Sequence, residues 1–278
     1  MNLDFESVAG TPAGTDGKPR VGLFVTCLVD LFRPSVGYAA ARLIEAAGCS
    51  VEAPMAQACC GRPALSSGDR TEARAAAEAA IAAFENYDHV VAPSGACAGM
   101  LRKHYPALFI GDAAWERRAG AFAAKVHELA AFLVAMGGIC SHAAGRGRTA
   151  TYHDACSGLS DLGVKAQPRS LLSSIEGLTL IEMPEAEACC GFGDGLCAKY
   201  PGASSTISAR KTANVEASGA DMLLAGDLGC LMAMAGRLKR SGSAIEVRHV
   251  AEVLAGMDDG PPIGGTRPTS PSLGQSST

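Results

Sequence analysis

Long apolar runs are missing from this chain, and its first residues contain no basic start followed by an apolar stretch. The longest apolar segment, around residues 129–136, is far shorter than the roughly 20 residues that span a bilayer. A secretory signal would need the basic start and the apolar stretch together, so none is recognised here. We therefore expect no membrane span and a cytoplasmic location.

An excess of basic residues is also missing. Lys and Arg number 24 against 28 Asp and Glu, which gives a net charge of −4. Proteins that bind nucleic acids or anionic membranes usually carry a basic face, so we expect no nucleic-acid partner. Hydrophobic residues nevertheless make up 48% of the 278 positions, which is enough for a sizeable folded core.

Cysteine, by contrast, is abundant. The chain contains 11 cysteines, which is many for a cytosolic protein of this length. Disulfide frameworks belong to oxidising compartments and accompany an export signal. In a chain where no such signal is recognised, we expect metal or redox chemistry at the cysteines instead.

Eight of these cysteines form two copies of one pattern. In each copy a single cysteine is followed by a Cys-Cys-Gly triplet and then by another single cysteine. Cys27 precedes Cys59 by 32 positions, and Cys156 precedes Cys189 by 33. Such similar spacing predicts an internal duplication. The first set is Cys27, Cys59, Cys60 and Cys97, and the second set is Cys156, Cys189, Cys190 and Cys230.

The segments around the cysteines repeat as well. Apolar runs typical of buried strands occur in both copies, at residues 21–25, 51–53, 89–92, 149–152, 178–181 and 222–225. Stretches typical of helices follow each triplet, at residues 69–84 and 203–217. Strands that alternate with helices indicate parallel sheets. We therefore predict an α/β fold of two pseudo-symmetric, Rossmann-like parallel-sheet halves, each with one C…CCG…C motif.

The same patterns predict how the chain is divided. Apolar residues from Trp115 to Met136 recur at spacings of three, four or seven, which predicts one amphipathic helix of about six turns between the halves. The C-terminal segment is rich in Pro, Gly, Ser and Thr, which is typical of disorder. The predicted parts are a disordered tail at 1–19, the first half at 20–110, a connecting helix and linker at 111–147, the second half at 148–257 and a disordered tail at 258–278.

Both cysteine sets are expected to converge. Ligands of parallel sheets bind beyond the carboxyl ends of the strands, and all eight matched cysteines follow predicted strands. Adjacent cysteines face one site only if the chain turns between them, and Gly61 and Gly191 allow such a turn. Cys97 and Cys230 lie near predicted helix starts, where free N–H groups stabilise thiolates. Each half should therefore present four thiolates to one site.

Four thiolates leave three kinds of site open. Iron–sulfur clusters and tetrahedral zinc both accept four cysteine ligands. Structural zinc usually draws on closely spaced C-x2–4-C pairs, and neither set contains one. A redox-active disulfide between the adjacent cysteines would be strained. The alternative to an iron–sulfur redox protein is thus a zinc-stabilised interaction scaffold without a redox role.

Several strings of residues around the cysteines are specific to a known family. These strings are Cys27-Leu-Val-Asp30, Ala58-Cys-Cys-Gly-Arg-Pro63, Pro93-Ser-Gly-Ala-Cys97, Tyr152-His-Asp-Ala-Cys156, Cys189-Cys-Gly-Phe-Gly193 and Asp227-Leu-Gly-Cys230. The overall pattern resembles the CCG cysteine-rich domain of the heterodisulfide reductase B subunit and of the glycolate oxidase iron–sulfur subunit. The strings themselves resemble the lactate utilization protein A family over residues 20–256.

That resemblance implies an iron–sulfur electron-transfer subunit of a multi-subunit system that oxidises L-lactate to pyruvate, inactive on its own. It implies one [4Fe–4S] cluster per half, bound by the eight matched cysteines, and a partner that is a ferredoxin-like iron–sulfur or flavin subunit. Met100 and Ala233 stand where the heterodisulfide reductase pattern has a further cysteine, which disfavours disulfide reduction. The alternative within the redox class is the iron–sulfur subunit of a glycolate oxidase or of a heterodisulfide-reductase-like complex.

A histidine and two glycines are expected to support the sites without being primary ligands. Gly61 and Gly191 shape the turns, and His153 lies three positions before Cys156. Tuning of a bound cluster, a turn-forming role and direct ligation are all open for His153. We align Val25 and Thr26 with His153 and Asp154, so the symmetry of the sites does not require an imidazole.

Three cysteines lie outside the two sets. Cys49 follows a glycine at a predicted helix end, and Cys140 lies in the linker, so we expect structural roles for both. Cys197 follows Cys190 by seven positions. This spacing would let it approach the second site, but we expect it to be a small buried side chain, as free cysteines often are.

Overall fold

The computed structural model describes residues 17–138, 145–193 and 195–265. Its strands are β1 (Arg20–Leu23), β2 (Ser50–Glu52), β3 (His89–Ala92), β4 (Val126–Glu128), β5 (Arg148–Tyr152), β6 (Leu178–Leu180), β7 (Met222–Ala225) and β8 (Glu246–His249). They form two parallel sheets of four strands, in the orders β2-β1-β3-β4 and β6-β5-β7-β8. The equivalent order confirms the predicted α/β fold of two similar halves.

Helices connect the strands in both halves. The helices of the first half are α1 (Cys27–Phe32), α2 (Pro34–Ala46), α3 (Arg62–Ser67), α4 (Arg70–Phe84), α5 (Gly95–Gly99), a π-helical segment (Met100–His104), α6 (Tyr105–Leu108), α7 (Ala113–Ala124) and α8 (Leu129–Ala135). Those of the second are α9 (Cys156–Leu162), α10 (Ala166–Leu172), α11 (Leu196–Lys199), α12 (Pro201–Ala217), α13 (Leu228–Arg240) and α14 (Val250–Leu254).

The predicted connecting helix is wrong. Residues 115–136 form two helices, α7 and α8, with strand β4 between them. Val126 of β4 is paired with Val90 of β3, so the fourth strand belongs to the first sheet. The apolar spacing suits a helix locally, but pairing with a buried neighbouring strand outweighs this local preference. Strand β8 is the counterpart of β4 in the second half, and the sequence did not predict it either.

Part of the predicted C-terminal tail is ordered. Ile263 is buried, and its backbone N–H donates to the carbonyl oxygen of Val247 at 2.8 Å. The buried carboxylate of Asp258 pairs with Arg148. One apolar residue and one acidic residue therefore fix residues 258–265 to the second sheet, contrary to our expectation. The rest of the predicted tails, at 1–16 and 266–278, and Cys140 lie outside the described residues.

A continuous hydrophobic core joins the two halves. One cluster of buried side chains includes Val21 and Leu43 of the first half and Leu223 and Leu254 of the second. A smaller cluster around Phe84 fills the far side of the first half. Across the described ranges, with their gaps at 139–144 and 194, no helix combines the length and the apolar character needed to cross a membrane.

Close contacts fix the two halves against each other. Helices α5 and α9 approach so closely that a Cβ atom on Gly95 would lie 2.8 Å from the Cα atom of Gly158. The hydroxyl of Ser94 donates to a carboxylate oxygen of Asp227 at 2.8 Å. Ser94 caps α5 and Asp227 caps α13, so the two helix starts that carry Cys97 and Cys230 lie next to each other.

Candidate metal centre

The first cysteine set is assembled by three loops at the carboxyl ends of the strands. Cys27 is the first residue of α1, and Cys97 lies in the first turn of α5, where its N–H donates to the Ser94 hydroxyl at 3.2 Å. Cys59 and Cys60 precede Gly61, whose φ of 80° provides the expected turn. The Tyr105 hydroxyl donates to the carbonyl oxygen of Cys60 at 3.0 Å and holds this loop in place.

The four thiols of the first set touch one another in sequence. The sulfur atoms of Cys60 and Cys97 are 3.5 Å apart, and Cys59 contacts both Cys27 and Cys60. Hydrogen bonds from Cys27 and Cys60 lower the pKa of Cys59 to about 2. The hydrogen bonds to Cys59 raise the pKa of Cys27 and Cys60, and burial adds to this effect. The arrangement thus favours one thiolate surrounded by protonated neighbours.

The second set repeats this arrangement. Cys156 is the first residue of α9, and Cys230 lies in the first turn of α13. Cys189 and Cys190 precede Gly191, whose φ is 84°. Hydrogen-bond contacts join Cys156 to Cys189, Cys189 to Cys190, and Cys190 to Cys230. The structure therefore brings together all four cysteines of each half.

Proton loss from the second set is also disfavoured. Contact with Cys189 raises the pKa of Cys156, and burial raises it further. Contact with Cys189 lowers the pKa of Cys190, but contact with Cys230 and burial raise it to a net value above normal. Contact with Cys190 lowers the pKa of Cys230, but burial gives it a net increase. These shifts oppose deprotonation of Cys156, Cys190 and Cys230, and a nearby cation would offset the negative charge that deprotonation creates.

The donor atoms fit an iron–sulfur cluster or a zinc ion. Both bind thiolates, and metal binding displaces the thiol protons because the metal supplies the missing positive charge. Backbone N–H groups assist, since those of Leu28 and Ser157 lower the pKa of Cys27 and Cys156. The ten cysteines in the described part of the chain are all free thiols.

The two sets lie on either side of one cavity between the halves. Its volume is about 310 Å³, and its cysteine lining consists of Cys27, Cys59, Cys60, Cys97, Cys156, Cys197 and Cys230. Cys197 is exposed, so our expectation of a buried side chain was wrong. It follows Gly195, whose φ is 74°, and this turn directs α11 over the cavity. Cys49 is buried in the hydrophobic core, and its structural role stays a prediction.

His153 lies behind the second set. Its side chain is fully buried, and neither ring nitrogen has a hydrogen-bond partner in the described part of the protein. A nitrogen of its ring and the sulfur atoms of Cys190 and Cys230 lie within 4.8 Å of one another. Burial lowers the pKa of His153 to about 3, so the ring is neutral at pH 7.

The alignment of His153 with the first half requires a correction. The N–H of His153 donates to Leu224 at 2.8 Å, and the N–H of Phe24 donates to Val91 at 2.8 Å. Leu224 and Val91 occupy the same position in β7 and β3. Phe24 is therefore the counterpart of His153, and Val25 is not. The first half still offers no imidazole at this position.

Sequence reasoning missed two buried charged groups beside the second set. The ammonium group of Lys211 donates to the carbonyl oxygens of Glu185 and Ala186, at 2.8 and 2.7 Å, and holds the loop before Cys189. Burial lowers its pKa to about 8. Asp154 forms a two-bond ion pair with Arg169 at 2.8 and 2.9 Å. No motif signals these contacts, because they depend on the packing of α10 and α12.

Comparison with known proteins gives a family. The family model described as the CCG cysteine-rich domain matches residues 21–102 and again residues 150–235. The chain is 45% identical over 238 residues to Lactate utilization protein A of Geobacillus sp. (strain WCH70), which covers 84% of this chain and 98% of that relative. It is 40% identical over 236 residues to Lactate utilization protein A 2 of Bacillus cereus (strain Q1), with coverage of 85% and 98%.

A solved structure shares the fold. The crystal structure of a hypothetical protein from Helicobacter pylori matches with a TM-score of 0.64 at 12% sequence identity. The match covers 87% of this chain and 49% of that chain, so this protein spans about half the length of that structure. At this identity the likeness concerns the fold alone.

Proposed function

The chain belongs to the lactate utilization protein A family and carries the CCG cysteine-rich domain twice, and on this premise we propose that it is an iron–sulfur electron-transfer subunit of a multi-component system that oxidises L-lactate. The observation that carries the proposal is the contact among four thiols in each half. A role in lactate utilization follows from the family. The cluster, its electrons and the partner subunit are the proposed parts.

Each half would hold one [4Fe–4S] cluster through its four cysteines. Such a cluster supplies one-electron chemistry. The chain itself supplies the thiolates, turns the backbone at Gly61 and Gly191, and directs N–H groups at the sulfur atoms. The N–H of Gly191, for example, donates to the sulfur of Cys189 at 3.3 Å. These groups would stabilise negative charge at the sites.

The two sites would work as a pair because they would lie on either side of one cavity, at positions that contacts between the halves fix. The contact between Ser94 and Asp227 joins the helix starts that carry Cys97 and Cys230. Asp227 also accepts a hydrogen bond from the N–H of Ala96 at 3.2 Å. Since these atoms belong to different halves, the spacing of the two sites is fixed by direct hydrogen bonds.

A partner subunit would dock beside the first site. An open groove of about 650 Å³ contains Cys27 and Cys59 in its lining, together with the apolar side chains of Leu31, Tyr38 and Met55. These three side chains are exposed by 72%, 70% and 99%, although they are large and apolar. Apolar surface of this kind typically marks an interface. We propose that the groove receives a flavin-bearing or ferredoxin-like subunit, whose redox group would then lie near the first cysteine set.

Iron content tests the proposal. Protein purified without oxygen should contain close to eight irons and eight inorganic sulfides per chain, since a [4Fe–4S] cluster has four of each. Cys60→Ser and Cys190→Ser should each remove about half of the iron, because each variant breaks one set. The measurement is metal and sulfide analysis together with the absorbance near 400 nm that dithionite bleaches.

Cys49→Ser is the matched control, because Cys49 is a buried cysteine outside both sets. This variant should retain all of the iron. One zinc per half in the anaerobic protein, without sulfide, would replace the proposal by the zinc-stabilised scaffold. Loss of all iron in Cys60→Ser would show that the two sites are not filled independently.

A further inference from the structure

The two halves place different side chains behind their cysteines. Phe24 occupies the first half, where it packs on Phe84 with ring centroids 5.5 Å apart. His153 occupies the equivalent position of the second half, with the same backbone hydrogen bond to the neighbouring strand. The first half thus has an apolar ring where the second half has a polar one, although the cysteines of the two sites are arranged alike. The difference separates the two sites chemically.

The imidazole of His153 is sealed inside the protein without a partner. Its exposed fraction is 0%, and both of its ring nitrogens lack a hydrogen bond to any described residue. Buried polar groups in proteins nearly always have a hydrogen-bond partner, so an imidazole in this condition points to a bound group that would satisfy it. A ring nitrogen of His153 and the sulfur atoms of Cys190 and Cys230 all lie within 4.8 Å of one another. The ring therefore faces the second cysteine set.

Lys211 is a second side chain near the second cysteine set that has no equivalent near the first set. The buried residues of α12 are Lys211, Thr212 and Val215. The last three buried residues of α4, Ala80, Ile81 and Phe84, have the same spacing, so Ala80 is the counterpart of Lys211. Lys211 is only 1% exposed, and it acts electrostatically on Cys190 and Cys230. A buried cation therefore accompanies the second set, and a methyl group replaces it in the first half.

We propose that a ring N–H of His153 donates a hydrogen bond to sulfur at the second site and that this bond makes the second site easier to reduce than the first. The inference rests on the proposed iron–sulfur function. Reduction adds one electron and therefore negative charge to the sulfur-rich group, and an N–H donor stabilises that charge. The ammonium group of Lys211 acts in the same direction. One electron given by a flavin or a reduced cluster of the partner would leave its donor oxidised by one electron and would reside at the second site.

The test is the potential of each site in the iron-loaded full chain. His153→Phe installs the first-half residue and removes the donor. We expect the midpoint of one centre to fall so that its reduced-to-oxidised ratio drops tenfold or more, which is about 59 mV for one electron. The other centre should not change. An anaerobic redox titration followed by EPR measures both centres, and His153→Gln, which keeps an N–H donor, should recover part of the shift.

His127→Phe is the matched control. His127 is a largely buried histidine that contacts His89, with ring nitrogens 3.3 Å apart, and it lies on β4 outside both cysteine sets. Its replacement should leave both midpoints unchanged. Full iron content with unaltered midpoints in His153→Phe would overturn the hydrogen bond while leaving the proposed function intact.

Two further outcomes are decisive. If both His153 variants lose the iron of the second site and keep that of the first, His153 is a ligand and the inference is wrong. Pulsed EPR of the reduced wild-type protein with ¹⁵N-labelled histidine supplies a readout that needs no variant. A weak nitrogen coupling at one centre supports the hydrogen bond, and its absence overturns it. Wild-type protein without iron would refute the proposed function first, and the inference with it.

Discussion

Buried charged side chains in this protein mostly have a fixed partner from another element. Glu252 of α14 is fully buried and binds Arg33 from the other half through two hydrogen bonds of 2.9 and 3.2 Å. Asp154, next to the second site, is bound by Arg169 of α10. Because an unpaired buried charge is strongly destabilising, these pairs fix the position of the loops that carry them.

Glu128 is different, because the hydrogen bonds that its carboxylate accepts from described residues come from the backbone. It caps α8 through the N–H of Ala131 at 3.1 Å. Burial raises its pKa from 4.5 to about 7, and the nearby carboxylate of Asp227 adds to the shift. The phenol of Tyr152 also faces it. Glu128 is therefore a group whose protonation depends on folding.

We predict that Glu128→Gln removes part of the pH dependence of stability. Below pH 4.5 Glu128 is protonated in both the folded and the unfolded state. Its full contribution to the free energy of unfolding is present there. Between pH 4.5 and about 7 the unfolded state releases the proton first, so the free energy of unfolding of the wild type falls as the pH rises. The expected loss is on the order of 3 kcal/mol. The variant should escape it, as measured by urea unfolding at pH 5 and pH 8.

Glu45→Gln serves as the comparison, because Glu45 undergoes the same chemical change on the exposed surface of α2. Its pH dependence of stability should follow that of the wild type. Equal losses of stability between pH 5 and pH 8 in the wild type and in Glu128→Gln would contradict the argument.

At the level of helices and strands, the sequence predicted three strands of each sheet and missed the edge strands β4 and β8. β3 and β7 are buried along their whole length, and their continuous apolar runs were recognised. β4 and β8 read Val-His-Glu and Glu-Val-Arg-His, which have no clear strand signal. They are strands because β3 and β7 offer them unpaired edges. This information lies in the tertiary structure, so no local pattern could reveal it.

The cysteine sites show the same difference between features that the sequence pattern predicts and features that depend on tertiary packing. The spacing of the cysteines and the following glycines predicted which thiols meet, because the chemistry requires convergence and the glycine φ values allow it. The environment of His153 and the exposure of Cys197 depend on how α11 and α12 pack on the second half. Such packing cannot be deduced from spacing, so these details emerged only with the structure.

The turn at Gly191, after the second cysteine pair, has no room for a side chain because helix α12 packs against it. A Cβ atom on Gly191 would lie 2.6 Å from the carbonyl oxygen of Ser204 in α12. Gly191→Ala should therefore displace α12 or the loop, remove the iron of the second site and cost about 1–3 kcal/mol beyond the backbone strain. Iron analysis and anaerobic urea unfolding measure both effects.

Gly193→Ala isolates the contact from the strain. Gly193 lies in the same loop with a φ of 99°, but no described atom lies within 4 Å of the position that a Cβ atom would take there. This variant should lose only the roughly 1–2 kcal/mol that a positive φ costs a residue with a side chain. It should keep its iron. Equal effects of the two substitutions would show that strain alone matters.

On the scale of the whole molecule, we expect the chain to depend on a partner for the oxidation of a 2-hydroxy acid. Oxidation of a 2-hydroxy acid needs a hydride acceptor and a base for the hydroxyl proton. The glycine-rich segment from Gly191 to Gly195 does not follow the G-x-G-x-x-G pattern, because residue 196 is Leu. Among the ionisable groups near the sites, His153 is fully buried, and Asp227, which lines the cavity, already accepts a hydrogen bond from Ser94.

We predict that the iron-loaded chain alone does not oxidise L-lactate with a dye acceptor and that turnover appears when a flavin-bearing or ferredoxin-like partner subunit is added. Met55→Lys should then weaken the binding of the partner subunit, because it places a charge in the apolar groove beside Cys27 and Cys59. We expect at least a tenfold rise in the partner concentration needed for half-maximal turnover, with unchanged iron content.

Ile110→Lys provides the control for this substitution. Ile110 is 78% exposed, so the same charge is introduced on an apolar surface residue that does not line the groove. It should leave the partner dependence unchanged. If both variants weaken turnover equally, the groove is not the docking site. Lactate oxidation by the chain alone without flavin would contradict the division of labour itself, since the buried His153 would then have to reach the substrate.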